Sequence, residues 1–325
     1  MSESRDTSLE NALIVTHYDL DGFVCALCLL EAFNIPTKRV RFVSYGTRRA
    51  GIIESGLQQS KAEVLYLCDI GLSQEELGDA WAMDPAVYRV LFDHHEGTGL
   101  LDLSAFHEAY VDRSGDACSS DLVLEYLRRR VPTRVAPKLM RWVAIAHDRD
   151  LWLNENREVG RRVTWLLKER IHERLDVAIL TPSPEDFLWK LEGQWKRGET
   201  LFHDAVACAQ NTACVFDDAP VPIKIAYVKR DTSDVADELQ EGGQLIVLLN
   251  VFGQHVGVSL RTDRDDVNAA DIARRCFGGG GHRLAASGFA SSDHLLGGYR
   301  ALRDDIVAAL RAQWQNDAAL SEQTR

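Results

Sequence analysis

Short apolar runs alternate with helix-length segments through the first part of the chain. "ALIVTH", "VRFVSY", "EVLYLCD" and "YRVLFDHH" are rich in β-branched and aromatic residues and read as strands. "GFVCALCLLEAF", Gly22 to Phe33, reads as a helix, and further helical stretches separate the later runs. "EAYVD" adds a strand, and Ser and Asp residues suited to an N-cap open a helix near "GDACSSDLVLEYLRRR". This alternation predicts a parallel sheet with crossover helices. From Pro132 to about Asn211 the pattern is mainly helical, with breaks at "LNEN" and "TPSPED". "CVFDDAPVP", in which Pro220 and Pro222 flank one valine, reads as a linker. Beyond it come "IKIAYV", a helical "SDVADELQ", "QLIVLLN", "HVGVSLRT", a helical "VNAADIARRCF", a loop at "GGGGH", "AASGFA" and a final amphipathic helix. The expected fold is therefore α/β: a catalytic parallel-sheet domain over 1–190, a helical connector and linker over 191–222, and a smaller mixed α/β substrate-binding domain over 223–325. The active site is expected in the interdomain cleft.

At 325 residues and 46% hydrophobic content the chain can bury a sizeable core. Its net charge of −12 excludes a long nucleic-acid duplex as partner, because neutralising phosphates needs a dense basic surface. A short anion is compatible if metal ions or a local arginine cluster reverse the field at one site. The seven cysteines are scattered, and Cys25 and Cys28, although spaced CxxC, fall inside an apolar helix, which implies buried packing. "MSESRDTSLE" has neither a basic nor an apolar leader region, and no apolar segment is long enough to span a bilayer. A cytoplasmic protein without membrane contact is expected; a homodimer is compatible with the sequence. The arginines of "YLRRRVPTR" and "REVGRRV" suit solvated helix faces. The tryptophans mix with leucines as core residues do, and Trp152 is the one placed to wall a site.

Three strand-like runs end in the same chemistry. "ALIVTHYDLDG" delivers His17, Asp19 and Asp21, "EVLYLCDIG" delivers Asp69, and "YRVLFDHHEG" delivers Asp93, His94 and His95. Any one of these groups alone reads as a cap, a turn residue or a hydrogen-bonded histidine. In a parallel sheet the three ends converge where open α/β sheets bind ligands. Crowded carboxylates raise one another's pKa unless a cation compensates them. Mixed carboxylate and imidazole ligation suits Mn²⁺, with Mg²⁺ or Co²⁺ as alternatives. A shared carboxylate can hold two ions about 3.5–4 Å apart, the spacing used in phosphoester hydrolysis.

In order along the chain, "HYDLDG", "CDIG", "FDHH", an acid in "AIAHDRDLW" and "FGGGGHRLAASGF" resemble the motifs of the DHH phosphoesterase superfamily and its C-terminal DHH-associated domain. The resemblance covers most of the chain and points to the RecJ-like and oligoribonuclease-like branch. It implies that His17, Asp19 and Asp69 hold a first Mn²⁺ and that Asp21, Asp69, His94 and Asp148 hold a second. It places His95 at the scissile phosphate and makes Asp93 an orienting group for an imidazole. In "HDRD" both Asp148 and Asp150 are available; alignment with the family's acid favours Asp148, and His147 reads as structural.

Glycines at 278–281 let backbone amides approach a phosphate, and Arg261, Gly279, Gly280, Gly281, His282 and Arg283 are the expected substrate-binding residues. The expected function is a two-Mn²⁺ phosphodiesterase acting on short nucleotides, such as a nano-RNA or another short single-stranded oligonucleotide, held by one end. A cyclic dinucleotide phosphodiesterase and a 3′-phosphoadenosine 5′-phosphate phosphatase are the alternatives within the class. An inorganic pyrophosphatase fits the glycine loop less well. A non-catalytic nucleotide sensor is the alternative outside the class, disfavoured by the complete ligand set.

Overall fold

The computed structural model describes residues 11–44, 49–71, 86–95, 98, 101–168, 170–252 and 255–323. The helical stretch expected between "CDIG" and "YRVLF" and the "EG" after the two imidazoles lie outside these residues. The chain divides into two compact units, Met1–Gly198 and Glu199–Arg325.

The first unit is built on strands β1 (Ala12–His17), β2 (Val40–Val43), β3 (Val64–Cys68), β4 (Tyr88–Asp93) and β5 (Glu108–Val111). They form one sheet in the order β2-β1-β3-β4-β5, with every pairing parallel. Both faces are covered, as an all-parallel sheet requires. Ala12, Ile14, Tyr66, Cys68, Val90 and Phe92 point into the larger core with helix α1 (Leu20–Phe33). Leu13, Val15, Leu65, Leu67 and Leu91 face a smaller cluster that contains Ile53 of helix α2 (Arg49–Ser60). Cys25 and Cys28 are fully buried in α1, as their apolar surroundings imply, and all seven thiols are free. Helices α3 (Ser119–Arg130), α4 (Pro137–Asp150), α5 (Arg157–Leu167), α6 (Ile171–Ile179) and α7 (Pro184–Lys190) complete the larger core. The long helix α8 (Glu192–Thr212) begins in this unit.

The second unit is a six-stranded mixed sheet, ordered β10-β11-β9-β8-β7-β6. Its strands are β6 (Cys214–Phe216), β7 (Ile223–Tyr227), β8 (Leu245–Phe252), β9 (His255–Thr262), β10 (Gly280–His282) and β11 (Ala285–Ala290). Only the β7–β8 pairing is parallel. Helix α9 (Thr232–Leu239) packs on β8 and β9, and helix α10 (Ala269–Phe277) joins the core with helix α11 (Ser292–Gln323), which is interrupted at Gly298. Two stretches differ from their sequence reading. Cys214–Phe216, expected as linker, is the edge strand β6, because its backbone finds partners along β7. The expected glycine loop is partly the strand β10, because glycine lets it lie against β11: side chains at Gly279 and Gly281 would strike the Ser287 and Ala285 carbonyls. Among the described residues no helix is long and apolar enough to cross a membrane.

Gly22 illustrates how tightly α1 sits on β1, since a β-carbon there would collide with the His17 carbonyl oxygen and approach Thr16 Oγ1 to 2.7 Å. Gly22→Ala is expected to cost about 1–3 kcal/mol of stability through overpacking. Gly51→Ala, on an open face of α2 with nothing near its β-carbon, should be neutral or stabilising. Urea unfolding of the two variants checks this, and equal midpoints would contradict the close approach.

Candidate functional site

A strand order of 2-1-3-4-5 reverses direction between β1 and β3, and the crevice at such a switch point lies at the carboxyl ends of the strands. His17 ends β1, Asp69 follows β3, and Asp93 ends β4. The register Thr16↔Cys68↔Phe92 brings these ends level.

Local structure fixes each side chain. Asp19 N-caps α1 by accepting the Gly22 amide at 2.9 Å, while its other oxygen lies 2.7 Å from His17 Nδ1. Asp69 adopts a left-handed backbone, φ 58°, which costs a non-glycine residue roughly 1 kcal/mol or more. Its amide still donates to the Phe92 carbonyl at 2.8 Å, so the ladder holds while the carboxylate turns into the crevice. There Oδ1 is 3.3 Å from His94 Nε2 and 3.4 Å from Ser119 Oγ, and Oδ2 is 3.7 Å from His17 Nδ1. Asp21 is buried, and its oxygens accept the Ser119 and Ser120 amides at 2.7 and 2.9 Å, at the positive N-terminus of α3.

Asp93 is fully buried and serves as an anchor. It accepts from His95 Nδ1 at 2.6 Å, from the His94 amide at 3.0 Å, from the Gly71 amide at 3.1 Å and from the Thr98 hydroxyl. Gly71, φ 51°, is needed twice over, because a β-carbon there would also press on the His95 ring at 3.0 Å.

"HDRD" resolves differently from its alignment. Residues two apart on a helix point in divergent directions. Asp148 is buried with both oxygens taken, by the amides of Glu155 at 2.6 Å and Asn156 at 2.9 Å, so it fastens the turn after α4. The carboxylate brought to the cluster is Asp150, 3.5 Å from His94 Nε2. Trp152 lies under the Arg149 guanidinium, 4.5 Å from ring centre to Cζ. The sequence reading offered both Asp148 and Asp150 and preferred Asp148; it placed the start of α3 but gave no signal that its amides meet Asp21.

The electrostatics are those of crowded acids sharing few cations. Burial and then the Asp69 and Asp19 charges raise Asp21 to about 6, and burial with the Asp21 and Asp69 charges holds Asp150 well above the usual carboxylate range. Burial also works against Asp69, yet the His17 and His94 imidazoles outweigh it and hold that carboxyl well below the range. For His17 and His94 burial lowers the pKa, but the neighbouring carboxylates prevail, leaving them at about 11 and about 10.

These residues fit divalent cations. Asp69 Oδ2 is buried without a hydrogen-bond partner, and single ligand atoms of His17, Asp19 and Asp69, and of Asp69, His94 and His95, cluster within 4.8 Å. The donors are hard carboxylate oxygens and imidazoles, the set suited to Mn²⁺ or Mg²⁺.

In the second unit, directly paired residues share a face of the sheet. Opposite pairing through β10, β11 and β9 puts His282, Ala285 and Arg261 in one row and Gly280, Ser287 and Ser259 in the next. Arg261 donates to the Ser233 hydroxyl at 2.7 Å and to the Leu260 carbonyl at 2.7 Å, and Arg283 donates to the Asp265 carbonyl. Phe289, two positions beyond Ser287, is 61% exposed and meets His255 edge-on at 6.2 Å.

No family model and no curated protein matches the sequence. Solved structures do match in fold. Manganese-bound RecJ from Thermus thermophilus has a TM-score of 0.59 at 15% identity, over 93% of this chain and 52% of that one, so the chain spans about half of its length. An exopolyphosphatase-related protein from Bacteroides fragilis has a TM-score of 0.56 at 13% identity, over 92% of this chain and 93% of that one. The pGpG-specific phosphodiesterase PggH from Vibrio cholerae has a TM-score of 0.55 at 14% identity, over 92% of this chain and 99% of that one. The chain thus has the two-domain α/β fold of the DHH phosphoesterases that its motifs resemble.

The two acids of "HDRD" should separate in metal-free thermal unfolding. Asp148→Ala frees two amides and is expected to cost about 1–3 kcal/mol, whereas Asp150→Ala removes one of several crowded carboxylates and should leave the melting temperature unchanged or raise it. The reverse order would restore Asp148 to the cluster.

Proposed function

We propose that the protein is a metal-dependent phosphodiesterase acting on short nucleotide substrates, with two Mn²⁺ ions as cofactors. The observation that carries this reading is the position of Asp69, a buried carboxylate with one oxygen toward His17 and the other toward His94. Asp69 is then the shared ligand, His17 and Asp19 serve one ion, and Asp21, His94 and Asp150 serve the other. Bound divalent ions supply an acidified water and offset charge on the phosphate oxygens. His95 is steered by Asp93 through Nδ1, and its Nε2 is assigned to a phosphoryl oxygen of the substrate. Burial lowers the His95 pKa, but the Asp93 contact more than offsets it and favours the donor form.

The second unit supports a short nucleotide rather than a bare phosphate. Arg261 and His282 flank the small Ala285 on one sheet face, and Phe289 on that face offers a ring on which a base can stack. Gly280, Gly281 and Arg283 adjoin this face and are assigned to the substrate's phosphate end, whereas the Gly279 amide, also expected there, already donates to the Ala273 carbonyl at 3.1 Å. The acidic chain disfavours long strands outside one cationic patch. The pGpG-specific enzyme of like fold acts on a linear dinucleotide, which agrees with this size class.

The test is turnover with Mn²⁺ on a dinucleotide, a short RNA, cyclic dinucleotides, 3′-phosphoadenosine 5′-phosphate and pyrophosphate. Linear dinucleotide or short RNA should be cleaved fastest, and Asp69→Asn or His94→Ala should lower kcat about 10³-fold or more, the loss of several kcal/mol of charge stabilisation. His282→Ala should raise KM about 10-fold with little change in kcat, the size of one hydrogen bond to a charged group. Undiminished kcat in Asp69→Asn refutes the metal assignment, and tight nucleotide binding without product at saturating Mn²⁺ would identify a sensor instead.

A further inference from the structure

We infer that His147, acting through Asp121, is a positioning residue that sets Asp150 against Asp21 and so governs the affinity of one of the two divalent ions. This rests on the two-ion reading above. The chain of contacts begins at α3, whose first amides hold Asp21 through Ser119 and Ser120. That helix start is itself stapled. Asp121 Oδ2 accepts the Cys118 amide at 3.0 Å and the Cys118 thiol at 3.2 Å, closing a capping box around the first turn. The same oxygen lies 2.7 Å from His147 Nδ1 on α4.

His147 and Asp150 are three residues apart, hence neighbours on one side of α4, while Asp148 points elsewhere and fastens the following turn. The last turn of α4 is therefore held in two directions. Asp148 ties it to Glu155 and Asn156, and His147 ties it to the start of α3. Asp150 is the carboxylate this double tie presents to His94. Packing of α3 on α4 in the larger core brings the two helices together, and the His147 contact is the polar tie that sets the helix end carrying Asp150 against the helix start holding Asp21.

Single ligand atoms of Cys118, Asp121 and His147 also lie within 4.8 Å of one another, the spacing of an ion site. Cys118 is fully buried, however, and an ionised thiolate there would lack solvation; it serves as a donor to Asp121. The triad is better explained as a hydrogen-bonded tie.

The experiment is calorimetric titration of metal-free, full-length protein with Mn²⁺ alone, in the wild type and in His147→Ala, His147→Asn and Asp121→Asn. His147→Ala should weaken one binding event about 10–100-fold, the usual effect of removing a group that orients a ligand, and leave the other unchanged. His147→Asn, whose amide nitrogen can replace Nδ1, should recover most of that loss. In turnover, His147→Ala should shift the Mn²⁺ concentration for half-activation and leave the nucleotide KM at its wild-type value. If His147→Ala does not fold, Asp121→Asn carries the comparison with the same expected selective loss. Wild-type affinities in a folded His147→Ala overturn the inference, and so does loss of a third ion, which would make the triad a site in its own right. Wild-type protein binding fewer than two ions instead removes the two-ion reading on which it stands.

Discussion

Everything at the carboxyl ends of the first sheet is organised around the Asp69 carboxylate, which is buried, turned inward by a left-handed backbone and placed between two imidazoles. A carboxylate in that position is costly in three ways at once: it is desolvated, its backbone is strained, and it stands beside other acids. The rest of the site is arranged to tolerate it. His17 and His94 approach it from the neighbouring strands, and the N-terminus of α3 takes Asp21 on two amides. The charge still uncompensated is what fits the site to divalent cations.

The supports of this arrangement lie one layer further out and are mostly main-chain contacts. Asp93 holds an imidazole and three other donors from complete burial, Gly71 leaves room for the His95 ring, and Asp148 locks the turn after α4. Few of these groups touch a substrate under the proposed reading, yet their removal would move the ones that do. In the second unit glycine plays a comparable part, bringing β10 against β11 so that His282 and Arg261 share a face.

The alternation of apolar strands and helices was legible because each strand of the first sheet is buried on both sides and reads as an unbroken apolar run. His17, Asp19, Asp21, Asp69, His94 and His95 were legible for the same reason, since polar residues end such runs abruptly and recur at three of them. Asp148 and Asp150 were not separable in this way. Both follow one apolar helix, and only the position of the Glu155–Asn156 amides decides which carboxylate is consumed. The edge strands β6 and β10 escaped as well, because glycine and proline punctuation marks loops unless a neighbouring strand supplies partners.

By itself, then, the sequence determined the strand order along the chain of the first unit, its parallel sheet and which acids and imidazoles stand at its strand ends, because burial writes a local pattern that periodicity reveals. Tertiary structure alone decided which of those groups meet. The Asp21 contact with α3 joins residues 98 and 99 positions apart, and the tie between His147 and Asp121 crosses two helices. Hydrogen bonds of that kind depend on where helices are placed in space, and no local spacing of residue types encodes that placement.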